Sequence, residues 1–247
     1  MGLIETEGIV LRTYNLAEAD KIMVCLTRQA GVVRMVARGA RRLKSRFGAG
    51  LEPFTIIALT YYEKEGRELA SLRQLEIIRS FFNLAGSSEA VAALAYMSEL
   101  VMEFAPPQEP NEKLFRMVRA VVEELASVPE NVPALVRYFE IWTLKLGGFL
   151  PDVRACADCA RALSEEPCVY LNAELRARCG PCSNRLGKAF SPAAYKHLRQ
   201  AQRLSPHDFA VYARDSVAAV LGELAEFSQS LIGRVLERQP RSRVALG

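Results

Sequence analysis

The chain has 247 residues, half of them apolar and 24% charged, which fits a soluble globular protein and excludes a disordered or collagen-like one. Its longest uninterrupted apolar run, Ala90 to Met97, is eight residues, far below the ~18 to 20 of a membrane-spanning helix. The formal charge of +4 is concentrated: residues 1–82 carry 13 basic and 9 acidic side chains, and residues 83–247 carry 19 of each. Acid at Glu5 and Glu7, where a secretory leader carries cations, points to a cytoplasmic protein.

Up to about Ile78 the apolar residues come in five short runs: Gly8–Leu11, Ile22–Leu26, Val32–Ala37, Phe54–Tyr62 and Leu69–Ile78. Rich in β-branched and aromatic residues and separated by Gly, Asp, Asn and charge, they read as strands and turns. Five strands in ~70 residues predict a small closed barrel, OB-fold or SH3-like, because closure removes an exposed sheet edge. In the third run Val33, Met35 and Ala37 alternate with Arg34, Val36 and Arg38, which puts one pleat face in a core and two arginines outside.

After Phe82 the period lengthens to that of helices. Ser87 or Ser88 caps a first helix with an apolar face through Val91, Leu94, Ala95, Leu100 and Val101, stopped by Pro106-Pro107. Asn111 caps a second helix through Leu114, Phe115, Val118, Val121, Val122 and Leu125. A third runs from about Pro133 through Val136, Phe139 and Trp142 to Leu146, ended by Gly147-Gly148. A fourth long pattern, His207 to Arg238, carries Val217, Val220, Leu224, Phe227, Leu231 and Val235 on one stripe. These helices are expected to pack as a bundle, with a frayed tail from Gln239.

Two constellations carry chemistry. Cys156-x-x-Cys159 and Cys179-x-x-Cys182 are separated by 19 residues, the spacing of a four-cysteine zinc site; two tight turns aim four sulfurs at one tetrahedral ion. Four protein ligands leave no open position for water, so one structural Zn2+ per chain is expected. Cys168 lies between the pairs, its role open, and Cys25 reads as a small buried hydrophobe. The second constellation is Arg34, Arg38, Arg41, Arg42, Lys44 and Arg46, six cations within 13 residues with no carboxylate among them. On a mobile loop of a small barrel such a run suits the phosphates of a nucleic acid. Phe47, Tyr14 and Tyr62 could stack bases, although for each alone core packing is the simpler role.

Enzyme chemistry finds little to draw on. Gly187-Lys188 lacks the glycine a phosphate loop needs five positions earlier, where Cys182 stands. The only histidines, His197 and His207, lie beside helical patterns and are expected to be solvated or capping groups. No compact carboxylate cluster marks the basic region, so no catalytic residue is assigned and a non-enzymatic protein is expected. The alternatives are a structure-selective metal-dependent nuclease with dispersed acids, or a zinc-containing RNA-binding factor.

The sequence resembles the RecO recombination mediators of bacterial DNA repair. The likeness rests on Glu7-Gly8-Ile9-Val10-Leu11-Arg12, Glu18-Ala19-Asp20-Lys21, Leu26-Thr27, Gly31-Val32-Val33, Ala37 to Arg42 with Lys44-Ser45-Arg46, and Leu51-Glu52-Pro53-Phe54. It continues through Tyr96 to Leu100, Leu114-Phe115, Phe139-Glu140, and Leu146-Gly147-Gly148-Phe149 with Pro151. Where family members commonly turn on Gly-Gly before the second cysteine pair, this chain has Leu175-Arg176-Ala177-Arg178.

The resemblance implies an α+β multidomain protein: an N-terminal five-stranded OB-fold barrel over residues 1–81, then an α-helical domain over 82–247 with an inserted four-cysteine zinc segment at 152–190. It further implies binding of single- and double-stranded DNA, strand annealing, and assistance in loading RecA onto DNA coated by single-strand-binding protein. The implied protein partners are RecR and the C-terminal tail of the single-strand-binding protein, with no membrane; the implied location is the cytoplasm and, on DNA, the nucleoid.

Overall fold

The structure, a computed structural model, describes residues 2–64, 66–106, 108–166 and 168–246. Five strands, β1 (Gly2–Leu16), β2 (Asp20–Thr27), β3 (Gly31–Ala37), β4 (Ile56–Glu63) and β5 (Ala70–Arg79), close a barrel in the order β1-β2-β3-β5-β4. Of the two barrels the strand runs allowed, this is the OB-fold. All pairings are antiparallel except β3 with β5, where Met35 faces Ala70 and Val36 faces Ser71. The interior is filled by Val10, Met23, Cys25, Val33, Met35, Ile57, Leu59, Tyr61 and Leu72, with Phe47 and Leu51 from the β3–β4 connection. Val33, Met35 and Ala37 point inward as their alternation predicts, and Arg34 and Arg38 are exposed.

Three bulges shift the alternation, one of them leaving Ile78 extra in β5 between the pairs Ile56–Arg79 and Ile57–Ile77. Val10 pairs with Cys25 and Arg12 with Val24, so Leu11 is an extra residue in β1. Thr60 pairs with Gln74 and Tyr61 with Leu72, which leaves Arg73 extra in β5. Because side chains alternate with period 2, one inserted residue moves everything beyond it to the opposite face. Arg12 and Tyr14, of the same parity as the core residue Val10, thereby come to the outside.

The chain forms two compact units, residues 1–129 with 242–247, and residues 130–241. The division does not follow the change from strands to helices, since α1 (Ser88–Phe104) and α2 (Glu112–Ser127) belong with the barrel. The Ser87 side chain caps α1 at the amide of Ala90, and Asn111 caps α2 at Leu114. Ser98, buried on α1, donates to the Leu11 carbonyl at 3.0 Å, and Arg28 makes a two-pronged pair with Glu112 at 2.8 Å. The buried face of α1 is rotated from the expected one: Ala90, Ala93, Tyr96, Met97, Leu100 and Val101 are inside, whereas Val91 and Ala95 are exposed. Alanines on every side made two stripes equally apolar, and the bulk of Tyr96 and Met97 selects between them.

In the second unit α3 (Val132–Leu146) packs on α6 (Pro206–Ala213) and α7 (Ala218–Val235), with α5 (Pro192–Ala201) beside α7. The expected long helix from His207 to Arg238 is therefore two helices, broken at Arg214–Val217; Val217 caps α7 and is 69% exposed rather than part of the stripe. Glu140 of α3 is fully buried, paired with Arg137 at 3.2 Å and accepting from Ser228 Oγ of α7 at 2.6 Å. A buried carboxylate persists only with such partners. His197, expected to be solvated or capping, is instead buried on α5, its Nε2 2.6 Å from Ser216 Oγ and its Nδ1 2.8 Å from the Ala193 carbonyl. Between α3 and α5 lie a three-stranded sheet, β6 (Val169–Leu171), β7 (Ala177–Arg178) and β8 (Lys188–Phe190), and one turn of helix, α4 (Gly180–Ser183). The tail does not fray as expected: Arg241–Leu246 forms 3-10 turns, and the Ser242 amide donates to Glu99 Oε2 at 2.9 Å.

Candidate metal centre and nucleic-acid interface

The two cysteine pairs meet. The sulfurs of Cys156, Cys159, Cys179 and Cys182 all lie within 4.8 Å of one another, and none is in a disulfide. Cys159 and Cys179 Sγ are 3.8 Å apart, which matches the ~3.8 Å edge of a tetrahedron with metal–sulfur bonds of ~2.3 Å. The geometry comes from local turns. The Ala160 amide closes on the Cys156 carbonyl at 2.9 Å and the Ser183 amide on the Cys179 carbonyl at 3.0 Å, folding each pair back on itself. The antiparallel pairing of β6 with β7 presents Cys179, and an Ala155–Ala162 bridge closes the first loop.

Burial alone would raise the Cys156 thiol. Backbone amides of Cys179, Cys159 and Asp158, the first 3.4 Å from its sulfur, instead hold it down at about 6. The thiols of Cys179 and Cys159 push Cys182 up to about 12, since four crowded sulfurs cannot all ionise without a cation among them. The donor set fits a metal ion bound in a closed, structural manner. Cys168 stands outside the cluster, its thiol 3.3 Å from the Phe190 carbonyl.

At Leu175 the backbone is left-handed with φ +60°, and Ala160 beside Cys159 has φ +59°. The turn at Leu175 is tied by its own amide to the Asn172 carbonyl and by the Arg176 amide to Asn172 Oδ1, at 2.9 and 2.8 Å.

The six cations of the basic run are all exposed. Arg34 stands on β3, and Arg38, Arg41, Arg42, Lys44 and Arg46 follow in the β3–β4 connection. This connection is folded rather than slack. The Gly39 amide donates to Asp20 Oδ1 at 2.8 Å, Arg41 Nη1 donates to the Ala17 carbonyl at 2.8 Å, and Phe47 anchors the far end in the barrel core. Among the described residues none of the six has a carboxylate partner. Three other arginines of this unit do have carboxylate partners: Arg28 and Arg119 pair with Glu7, Glu112 and Glu123, and Arg79 with Glu123.

Of the three aromatic candidates, Phe47 is core, Tyr14 is exposed with the Arg12 guanidinium 4.9 Å from its ring centre, and Tyr62 is half-buried with Arg73 at 5.9 Å. Arg12 and Arg73 are outward cations that the sequence reading did not single out. Both owe their placement to the bulges, which no single-strand pattern announces.

An OB barrel with an exposed basic connection, followed in the chain by a helical unit whose four clustered cysteines could hold a metal ion, defines a multidomain α+β protein. The comparison with known families is consistent along the chain: the N-terminal family of Recombination protein O matches residues 1–81 and its C-terminal family residues 86–243. The chain belongs to the RecO family. It is 32% identical over 241 residues to the DNA repair protein RecO of Anaeromyxobacter dehalogenans (strain 2CP-C), covering 96% of this chain and 94% of the relative. The namesake protein of Koribacter versatilis is 35% identical over 66% of each chain, and that of Dehalococcoides mccartyi 27% identical over 96% and 92%. Among the described residues no helix is long and apolar enough to cross a membrane.

Proposed function

We propose that this protein is a non-enzymatic mediator of recombinational DNA repair. It binds single- and double-stranded DNA, anneals complementary strands, and assists RecA loading on DNA coated by single-strand-binding protein, acting in the cytoplasm with RecR and with the C-terminal tail of the single-strand-binding protein. Family membership supports the repair role.

The observation that carries the DNA-binding part is the set of six exposed cations that have no carboxylate partner among the described residues, on and just after β3 of an OB barrel. Arg34, Arg38, Arg41, Arg42, Lys44 and Arg46 neutralise phosphates, which affords affinity without reading bases and lowers the repulsion between two strands being annealed. Annealing requires no bond chemistry. The metal held by Cys156, Cys159, Cys179 and Cys182 is zinc, because four soft thiolates in a closed tetrahedral set suit it. Zinc cross-links the segment 152–190 and takes no part in a reaction. A nuclease would draw its metal to carboxylates, whereas the donor cluster found here is of thiols.

The test compares the intact protein with an Arg41→Ala, Arg42→Ala, Lys44→Ala triple variant, measuring affinity for labelled DNA at several salt concentrations. Each lost phosphate contact lowers the slope of log affinity against log salt by ~0.7 to 0.9, so the triple variant is expected to lose about 2 to 3. Weakening should be uniform across sequences, and annealing slow. Unchanged affinity and slope would show that the connection is not the DNA site.

A further inference from the structure

The geometry points to Cys159 and Cys179 as an oxidation site: a hydroperoxide joins this pair in a disulfide, and the metal is released. The inference rests on the metal reading of the four cysteines above and adds to it which two of them are joined and where the oxidant enters.

The two stretches that carry the pair run side by side in register. The Ala157 amide donates to the Ala177 carbonyl at 2.9 Å, the Asp158 carboxylate pairs with the Arg178 guanidinium, and Cys159 Sγ stands 3.8 Å from Cys179 Sγ. Three consecutive residues thus meet three consecutive residues. Arg176 Nη2 adds a bond to the Ala157 carbonyl at 3.4 Å. The second stretch is fixed on its other side as well, since Tyr170 and Leu171 of β6 pair with Arg178 and Ala177. The sulfurs of a disulfide are ~2.05 Å apart, so closing the pair from 3.8 Å takes a movement of about 1.75 Å. Cys159 is the partner free to make that movement, because it lies in an exposed turn between Asp158 and Ala160, both exposed.

The four sulfurs are unequal toward a reagent in solution. Cys156 and Cys179 are only 3% and 1% exposed, Cys182 is half-buried and Cys159 is exposed. Cys156 is shielded further by the Cys179 amide, which donates to its sulfur at 3.4 Å. Oxidation of cysteine follows thiolate character and exposure, and every donor of a metal-bound set is a thiolate. Exposure is then what differs, and it selects Cys159 as the point of entry. Cys168 stands apart, its thiol turned to the Phe190 carbonyl at 3.3 Å.

The chemistry balances with hydrogen peroxide as the one co-reactant. The Cys159 thiolate attacks a peroxide oxygen; an S–O bond forms, the O–O bond breaks and hydroxide leaves, which makes Cys159 a sulfenic acid. The Cys179 thiolate then attacks the Cys159 sulfur; the S–S bond forms, the S–O bond breaks and a second hydroxide leaves. Two electrons pass from the two sulfurs to the peroxide. Cys156 and Cys182 remain, two donors where a closed site uses four, so the metal is no longer held. The new bond spans the same two turns as the metal did. One cross-link replaces another, and the segment exists in a metal-loaded reduced form and a metal-free oxidised form.

The experiment treats the full-length, zinc-loaded protein with hydrogen peroxide, follows zinc release with a zinc-binding dye, and maps disulfides by mass spectrometry after alkylation and proteolysis. A peptide cross-linked between Cys159 and Cys179 is expected to appear at the rate at which one zinc per chain is released. Dithiothreitol with added zinc should reverse both. Cys168→Ser is expected to behave as the parent does. The site is overturned by peroxide treatment that leaves zinc bound, by release with Cys156 joined to Cys159 instead, or by Cys159 over-oxidised to a sulfinic acid with no disulfide. Loss of the cross-link in Cys168→Ser would overturn it too. If the freshly reduced protein carries no metal, the zinc reading falls, and the cross-linked peptide alone decides whether Cys159 and Cys179 are the oxidised pair.

Discussion

Tyr61 fills the barrel centre with a ring that has no exposed surface, and among the described residues its hydroxyl has no hydrogen-bond partner. Burial, reinforced by the charge of Glu63, pushes its pKa up to about 12, so the phenol stays neutral at physiological pH and the cost is one of desolvation. Tyr61→Phe keeps the ring and removes the orphaned group. It is expected to raise stability by about 1 kcal/mol in a denaturant titration, and a loss of stability would mean that the hydroxyl has a partner. Gly31 shows the opposite kind of constraint. Its φ of +62° and the Glu109 carbonyl, which would lie 2.1 Å from an added Cβ, leave room only for glycine where the α1–α2 connection crosses the β2–β3 turn.

At the scale of elements, the metal segment is built from a three-stranded sheet with strands of two or three residues and a single helical turn. Such pieces bury too little surface to hold themselves, so metal binding and folding are expected to be one event there. Chelation, or Cys179→Ser, should raise hydrogen exchange throughout residues 150–190 and leave the barrel amides protected, and freshly reduced protein should carry one zinc. Protection unchanged in that segment after complete metal removal would refute the coupling. The barrel strands behave differently because 8 to 15 residues of β1, β2 and β4 enclose a common core that needs no cross-link.

For the molecule as a whole, the last turns count with the first 129 residues. Both the amide and the hydroxyl of Ser242 reach Glu99 Oε2 on α1, joining positions 143 apart in the chain. Ser242→Ala removes one hydrogen bond to a charged acceptor and is expected to lower the stability of the barrel-containing unit by about 1 kcal/mol, read as a shift of its unfolding midpoint. No shift would return the tail to the frayed state its composition suggests. Net charge acts at this scale too. The excess of +4 resides in the barrel-forming third, so the steering of DNA toward that unit should weaken as salt shortens the Debye length to ~8 Å near 0.15 M.

Much of this was legible in the chain itself, for local reasons. Strand runs, the caps Ser87 and Asn111, and the C-x-x-C spacing depend on neighbours within a few positions, and the structure places each where the pattern implied. The six cations of the basic run were visible as a run and came out exposed because burying an unpaired charge is costly. Tertiary structure decided what depends on partners distant in sequence: which face of α1 is buried, the break that makes α6 and α7, the burial of His197 and the docking of Ser242. It also decided which side of β1 Tyr14 occupies. Tyr14 and Val10 share a parity, and only the bulge at Leu11, set by pairing with Cys25 and Val24 on the next strand, turns one to the core and the other to solvent. A bulge is a property of two strands in register, so one strand read alone could not contain it.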